Sequence, residues 1–300
     1  MIEYVQFFPT LRCNKNCDFC FSKALFYDDL DENKIEYLIN FLNENKIKNL
    51  DILGGEPFLY KHFPKLIEKA LENGLEITVS TNGTLIKNIR EFLKEFGDSK
   101  VKVGVSINDF YDNELLELIE EYRLWIKSLI IKDKIPEIRL MEFAKNLGIK
   151  YYLIYMDALT EKDLERTTPF YQFMEIVKHL NNSFPNIEPV FCKGFIGGLN
   201  NYRCPAGSEK ISVMPDGSVY PCYLLAGFKR YTLGNIFQDS LSDILKSKKL
   251  EIFKKNTGNI CHNKICKFHK ECRGGCVAHS IIHYKNTTKP DPRCNIRIKN

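Results

Sequence analysis

The first segment of the chain with chemical potential is the run CNKNCDFC, which carries Cys13, Cys17 and Cys20. Three thiolates this close together can ligate one metal centre. A closed [4Fe–4S] cluster normally takes four cysteines, and because the next cysteine is Cys192, one iron would stay open. An open iron in a reducible cluster can bind a small molecule and pass it an electron. A structural zinc site is the alternative, but it needs four protein ligands, and no histidine precedes His62.

The same segment resembles the signature of the radical S-adenosylmethionine (SAM) superfamily. That signature is Cys, three residues, Cys, any residue, an aromatic residue and Cys, and Cys13, Cys17, Phe19 and Cys20 match each position. The resemblance implies that the cluster binds the amino and carboxylate groups of SAM. It also implies that one-electron cleavage yields a 5′-deoxyadenosyl radical, which removes a substrate hydrogen, and that Phe19 lies against the adenine.

Three later segments lie at predicted strand ends, where the family places its SAM contacts. By this resemblance the expected contacts are Gly54, Gly55, Glu56, Pro57, Ser80, Asn82, Ser106 and Asn108. The first four resemble the family's GGEP loop, in which missing side chains expose backbone carbonyls to the SAM ammonium. A side chain at Gly55 is therefore expected to abolish SAM binding and to leave the cluster in place. The alternative for the other residues is an ordinary turn or helix cap.

The remaining eight cysteines lie between Cys192 and Cys294, at spacings that resemble the SPASM extension of radical SAM enzymes. One spacing departs from that pattern, because Cys261 and Cys266 are separated by four residues rather than two. The resemblance implies two auxiliary [4Fe–4S] clusters. The first would be held by Cys192, Cys204, Cys222 and Cys276, and the second by Cys261, Cys266, Cys272 and Cys294. With the SAM cluster, these assignments use all eleven cysteines in three [4Fe–4S] clusters.

Zinc is the alternative for the tail, because mixed Cys/His sites are common zinc structures. Four of the six histidines of the chain lie among these cysteines, namely His262, His269, His279 and His283. We expect them instead to be exposed loop residues or donors to metal ligands.

Apolar β-branched runs alternate with amphipathic helical segments along the first part of the chain. Strands are predicted at 2–9, 49–55, 75–83 and 100–108, with two weaker strand–helix units after them. Six such units favour an α/β fold with a partial (β/α)6 TIM-like barrel, whose functional loops lie at the C-terminal strand ends. A break at 183–191 divides the chain into domains 1–185 and 186–300, the second a small cysteine-rich iron–sulfur domain. Within it we expect two short strands over 211–222 and a helix over 240–255.

Composition excludes several classes of protein. Hydrophobic residues at 44% and charged residues at 27% are typical of a folded domain. A net charge of +5 is too small and too evenly spread to favour a nucleic-acid partner. We expect no membrane span and no secretory signal, since no apolar run is long enough. The expected location is the cytoplasm, where cysteines stay reduced.

The expected substrate follows from the SPASM resemblance, because most such enzymes modify peptides or proteins. The expected products are a thioether, a carbon–carbon crosslink or an epimerised centre. Sulfatase-maturing relatives have an aspartate after the cysteine matched by Cys222, and Tyr223 in that position disfavours formylglycine formation.

The expected partners are an electron donor such as flavodoxin or ferredoxin and, because only twelve residues precede Cys13, a separate leader-peptide-binding protein. The second hypothesis is a cofactor-biosynthesis enzyme acting on a small molecule or tetrapyrrole. The third is a non-catalytic iron–sulfur electron carrier, which has no need of an ammonium-binding loop.

Overall fold

The computed structural model describes residues 2–97, 100–109, 111–196, 202–254, 261–272 and 274–294. The chain forms two compact units, one of Met1–Ile126 with Ala206–Lys249 and the other of Lys127–Pro205 with Leu250–Asn300. Each unit therefore combines an early and a late part of the chain. The sequence domains 1–185 and 186–300 stay a prediction.

The early part of the first unit is a parallel sheet with a helix after each strand. Its strands are β1 (Tyr4–Phe7), β2 (Asn49–Ile52), β3 (Glu76–Thr81) and β4 (Val101–Ser106), paired in that order. Its helices are α1 (Ile35–Glu44), α2 (Phe63–Glu72), α3 (Ile86–Phe96) and α4 (Asn113–Tyr122). Parallel pairing confirms the first four predicted units and brings the carboxyl ends of the strands to one edge.

Apolar side chains from strands and helices fill the core of this unit. Val5, Phe7 and Val79 are fully buried on the strands, as are Leu38 and Leu66 on α1 and α2. Burying each such side chain contributes about 1.5–3 kcal/mol. The packed sheet is therefore a firm support for the loops at its edge.

The early part of the second unit repeats the strand–helix pattern. Its strands are β5 (Trp125–Ile130), β6 (Tyr151–Tyr155) and β7 (Ile187–Val190), and its helices are α5 (Ile138–Leu147), α6 (Glu161–Arg166) and α7 (Phe170–Asn181). The segment 183–191, where the break between domains is predicted, contains β7, which pairs in parallel with β6. β7 ends the strand order of the described residues, and Pro189, which has no N–H to donate, is tolerated on an edge strand.

The late part of the first unit extends the sheet of its early part. Strand β8 (Lys210–Val213) pairs in parallel with β1, and β9 (Ser218–Tyr220) pairs antiparallel with β8 and with β10 (Gly234–Asn235). The two predicted strands are therefore confirmed, but they belong to the N-terminal sheet. Gly217 closes the turn between them with φ +81°, a backbone conformation that favours glycine.

The remaining helices are short. The helix predicted over 240–255 is two pieces, α8 (Leu241–Leu245) and a 3₁₀ helix (Lys248–Phe253). Between them the Ser247 amide donates to the Ile244 carbonyl three residues back, a 3₁₀-type bond that ends the α-helix. The late part of the second unit contains α9 (His269–Cys272) and α10 (Val277–Tyr284). Across the described ranges, no helix is both long enough and apolar enough to cross a bilayer.

Candidate functional site

The segment that leads into the first three cysteines is fixed by Asp29. The Thr10 hydroxyl donates to Asp29 Oδ1 over 2.6 Å, and Arg12 Nε donates to the same oxygen over 3.1 Å. Arg12 Nη2 also donates to the Leu59 carbonyl over 2.6 Å. Burial alone would raise the pKa of Asp29, but the hydrogen bonds from Arg12 and Thr10 outweigh it and lower that pKa. The backbone directly before Cys13 is thus held by a charged pair.

The two glycines after β2 lie against this same segment. The Gly55 amide donates to Thr10 O over 3.0 Å, and the Glu56 amide donates to Arg12 O over 2.8 Å. A Cβ on Gly55 would lie 2.1 Å from Arg12 O and 2.5 Å from Leu11 O. Glycine is therefore required here by the close approach of two backbones. This changes the expected effect of a side chain at Gly55, because it would displace the cysteine-bearing loop itself.

Glu56 links the ends of β2 and β3. Its carboxylate is fully buried and accepts hydrogen bonds from the Thr81 hydroxyl (2.8 Å) and the Asn82 amide (2.7 Å). Burial raises the pKa of Glu56, while the bonds from Asn82, Thr81 and Phe58 act in the opposite direction. Because its carboxylate bonds to other residues of the protein, Glu56 supports the loop of the predicted SAM site.

Asn82 connects the end of β3 to the first cysteine. Its Nδ2 donates to Asn14 Oδ1 over 2.9 Å and lies 3.6 Å from Cys13 Sγ, within the range for a hydrogen bond to sulfur. The Lys15 amide also points to Cys13 Sγ, at 3.4 Å. Two N–H groups aimed at one sulfur fit a metal-bound thiolate. Sequence reasoning placed Asn82 against SAM; in the structure its amide faces the cysteine loop.

Cys17 and Cys20 complete the predicted SAM-cluster ligands. Burial raises the pKa of Cys17, with nearby Lys15 lowering it and the other two cysteines raising it further. The thiolates thus lie close enough to influence one another, and none of the three is in a disulfide. The loop therefore fits a cluster, which would hold all three sulfurs as thiolates.

The other predicted SAM contacts lie at the same edge of the sheet. Ser80 lies near the end of β3 and Ser106 ends β4, and both are half-buried, as are Asn108 and Phe19. Lys15 lies 3.7 Å from Asp109, which follows Asn108. The edge brings these residues near the cysteine loop, and their contacts with SAM stay predictions.

Tyr223 packs against the residue that follows the three-cysteine loop. Its ring centroid is 4.8 Å from that of Phe21, which directly follows Cys20, and 6.4 Å from that of Phe8. Lys210 Nζ lies 5.7 Å from the same ring centroid. An aromatic ring at this position offers no base, since the unperturbed pKa of tyrosine is about 10.

Three cysteines predicted for the first auxiliary cluster meet in the second unit. The sulfur of Cys192 interacts with those of Cys204 and Cys276, and the Gly194 amide donates to Cys192 Sγ over 3.4 Å. The hydrogen bond with Cys204 and burial raise the pKa of Cys192 well above its ordinary value. Three sulfurs, with that of Cys192 in contact with the other two, fit a metal cluster. Cys222, the fourth predicted ligand, belongs to the first unit.

Arg203 places a positive charge among these sulfurs. It is buried, and its Nη2 donates to the Cys272 carbonyl over 3.0 Å. Burial lowers the pKa of Arg203, while Cys272, Cys204, Cys192 and Cys276 act to raise it. A cluster with four thiolates carries net negative charge, so this guanidinium is suited to stabilise it.

The second predicted auxiliary set is partly assembled. Burial raises the pKa of Cys272 to about 12; the amides of Gly274 and Gly275 lower it, and neighbouring Cys294 raises it. Cys261 and Cys266 lie in the loop before α9, where the His269 amide donates to the Cys266 carbonyl over 2.9 Å. None of the eleven cysteines is in a disulfide.

The histidines of the tail differ from one another. His262 is exposed, as expected, whereas His279 is fully buried beside Cys276. The ligand atoms of Cys276, His279 and Asp291 all lie within 4.8 Å of one another. That geometry is compatible with a zinc ion. However, Asp291 Oδ2 already accepts hydrogen bonds from Arg293 Nη2 over 2.8 Å and from the Cys276 amide over 3.1 Å. Sequence reasoning missed the Asp291–Arg293 pair, although their spacing next to Cys294 was a signal.

Two family models match the chain. The model of the Radical SAM superfamily matches residues 7–126, and that of the SPASM iron–sulfur cluster-binding domain matches residues 204–276. These ranges cover the first three cysteines and the cysteines from Cys204 to Cys276.

Two curated relatives are of different kinds. The chain is 27% identical to a GTP 3′,8-cyclase of Helicobacter pylori over 74% of this chain and 80% of that protein. It is 25% identical to the antilisterial bacteriocin subtilosin biosynthesis protein AlbA of Bacillus subtilis, over 94% of this chain and 70% of that protein.

Solved structures share the fold. The structure of SuiB of Streptococcus suis matches with a TM-score of 0.79 at 18% identity, covering 98% of this chain and 77% of that chain. The structure of anSMEcpe with bound AdoMet matches with a TM-score of 0.71 at 20% identity, covering 97% of this chain and 90% of that chain. These likenesses confirm the predicted fold class, a mixed α/β fold with a parallel sheet followed by a cysteine-rich region.

Proposed function

Because this chain is a member of the radical SAM superfamily with a C-terminal SPASM domain, we propose that it is an enzyme that modifies a peptide or protein. The products expected are a thioether, a carbon–carbon crosslink or an epimerised residue. The observation that carries the proposal is the construction of the strand-end site, where the glycine loop holds the cysteine-bearing segment by two backbone hydrogen bonds.

The residues of the first unit would hold the cluster and SAM. Cys13, Cys17 and Cys20 supply the thiolates, and the Asn82 and Lys15 N–H groups near Cys13 Sγ stabilise its charge. Gly54, Gly55, Glu56 and Pro57, with Phe19, Ser80, Asn82, Ser106 and Asn108, form the SAM site. When bound, the cluster and SAM supply a one-electron cleavage that yields a radical able to take hydrogen from a substrate. Arg12 and Asp29 position the loop for this chemistry.

The tail would hold two auxiliary [4Fe–4S] clusters, for three in all. Contact among Cys192, Cys204 and Cys276 supports the first, and the pair Cys272 and Cys294 supports the second. Cys222 is assigned to the first, and Cys261 and Cys266 to the second. Arg203 would offset the negative charge of the thiolates.

A peptide substrate is supported by the relatives matched over nearly the whole chain. AlbA, matched over 94% of this chain, is a bacteriocin biosynthesis protein, and SuiB, matched over 98%, has also been solved with its precursor peptide SuiA. The proposed partners are a peptide or protein substrate, a flavodoxin- or ferredoxin-type electron donor, and a leader-peptide-binding protein. The proposed location is the cytoplasm.

A small-molecule substrate is the second candidate. The observation that favours it is the likeness to GTP 3′,8-cyclases, which extends over 74% of this chain in one Helicobacter pylori protein. Tyr223 is compatible with either candidate. It disfavours formylglycine formation, because a tyrosine near neutral pH is a poor base.

The test is incubation of anaerobically reconstituted protein with SAM, a reductant and a short peptide encoded beside its gene. Loss of two hydrogens from the peptide, or an inverted residue at unchanged mass, is the expected result. A Cys17→Ala variant is the matched control and should leave the peptide unchanged. Turnover of a nucleotide or tetrapyrrole, with no change in any peptide, would favour the second candidate instead.

A further inference from the structure

We propose that His279 donates a hydrogen bond from Nδ1–H to the sulfur of Cys276 and so raises the reduction potential of the auxiliary cluster that Cys276 holds. This inference rests on the proposed function, since it needs a cluster at Cys276. His279 would be a positioning and tuning residue, not a ligand.

The position of His279 follows from the start of α10. Cys276 is the N-cap of that helix, and His279 is three residues later, where a side chain can reach back to the N-cap. Both residues are buried, and a ring nitrogen of His279 lies within 4.8 Å of Cys276 Sγ. The ring is therefore beside the sulfur and shielded from water.

The tautomer of His279 is fixed by a backbone amide. The Ala158 amide donates to His279 Nε2 over 3.1 Å, so Nε2 must present its lone pair. Asp157 Oδ1 is 3.5 Å from Nε2, beyond good hydrogen-bond range, and it already accepts from Arg293 Nη1 over 3.2 Å. The ring is thus neutral, and its proton is on Nδ1.

This proton needs an acceptor. Nδ1 of His279 is buried and makes no hydrogen bond to any atom of the described residues. An orphaned buried donor is costly, and Asp291, the nearby carboxylate, is already satisfied by Arg293 and by the Cys276 amide. The thiolate that Cys276 becomes as a cluster ligand is the acceptor that remains.

The same observations argue against a zinc ion bound by these three side chains. Zinc would need a lone pair from His279 and an oxygen of Asp291. Nε2 is occupied by the Ala158 amide, and both Asp291 oxygens accept bonds from Arg293. The site is therefore suited to donate a hydrogen bond from His279 to the sulfur of Cys276.

A hydrogen bond to a cluster sulfur stabilises the reduced form of the cluster, because it offsets the added negative charge.

Two substitutions separate the roles of the two ring nitrogens of His279. In His279→Asn, Nδ2 occupies the place of Nδ1 and keeps the donor. In His279→Gln, Oε1 can take the place of Nε2, which keeps the bond from Ala158 and loses the donor.

The experiment is a redox titration followed by electron paramagnetic resonance in a background lacking the first cluster (Cys13, Cys17 and Cys20 changed to alanine). At a fixed applied potential, His279→Gln is expected to lower the ratio of reduced to oxidised auxiliary cluster by up to tenfold. For a one-electron couple this is a fall in reduction potential of about 59 mV. His279→Asn should stay close to the parent, as should His262→Phe at an exposed position. Equal potentials in the Gln and Asn variants would overturn the inference.

A second measurement needs no substitution at His279. Pulsed electron paramagnetic resonance of the reduced parent, labelled with ¹⁵N-histidine, should show a coupling between a histidine nitrogen and the electron spin of the cluster. This coupling should be retained in His269→Phe. If that coupling is absent, the inference fails although the clusters are present. If the parent background binds no iron in the tail, the proposed clusters fail, and the inference fails with them.

Discussion

Replacing Gly55 by alanine should separate the glycine loop from the cysteine-bearing segment. The new Cβ would lie 2.1 Å from Arg12 O and 2.5 Å from Leu11 O, whereas carbon contacts are comfortable at about 3.5 Å. Both contacts are with backbone atoms, which cannot rotate away. The two strand-end segments must therefore move apart by roughly 1–1.5 Å to restore a normal contact.

That movement would break the two bonds that join the segments. The Gly55–Thr10 and Glu56–Arg12 bonds, at 3.0 and 2.8 Å, would stretch beyond the usual limit of about 3.2 Å. Each backbone bond contributes about 0.5–1.5 kcal/mol net, so the expected loss is about 1–3 kcal/mol of unfolding free energy. Because Arg12 precedes Cys13, the first cluster should also be lost.

The assay is denaturant unfolding of the apoprotein together with iron analysis after anaerobic reconstitution. Iron should fall by about 4 per chain, the content of one [4Fe–4S] cluster. Gly227→Ala is the matched control, because its Cβ would meet only the tip of Leu25, at 3.3 Å. Unchanged stability and full iron in Gly55→Ala would refute the reasoning from backbone contact.

Three further changes test other parts of the account. Reconstituted protein should bind about 12 irons per chain and the Cys13/Cys17/Cys20 alanine variant about 8, by iron analysis, whereas stoichiometric zinc in the tail would contradict the auxiliary clusters. Arg293→Met should cost about 3–5 kcal/mol of unfolding free energy, because it leaves Asp291 buried and unpaired; a loss under 1 kcal/mol would show that the pair is not needed. Glu56→Gln should destabilise the fold by about 1–3 kcal/mol in denaturant unfolding, because an amide cannot accept from both Thr81 and the Asn82 amide; wild-type stability would contradict that role.

The parallel strands and their helices could be predicted from the sequence because their patterns are local. Apolar runs such as those of β2 and β3 and the amphipathic faces of α1 and α2 need no knowledge of distant residues. The pairing of β8 with β1 could not be predicted in this way, since it joins residues about 200 positions apart along the chain. Strand β7 could not be predicted for a related reason: its tolerance of Pro189 depends on that strand being at an edge.

In the candidate site, too, local features could be predicted from the sequence and long-range contacts could not. Cysteine spacing predicted which residues could hold clusters, because ligands that share a loop are close in sequence as well as in space. The spacing could not predict why residue 55 must be glycine, because that requirement comes from the close approach of the Leu11 and Arg12 backbone. It also could not distinguish buried His279 from exposed His262, since both lie among cysteines.

The most direct test of the central claim is the amount of 5′-deoxyadenosine formed from SAM by the reduced, anaerobically reconstituted protein. We expect the wild-type chain to form it and the Cys17→Ala variant, which lacks one ligand of the open-iron cluster, to form none. Cleavage in both proteins, or in neither when the wild type holds its full iron, would contradict the assignment of radical chemistry to the first three cysteines.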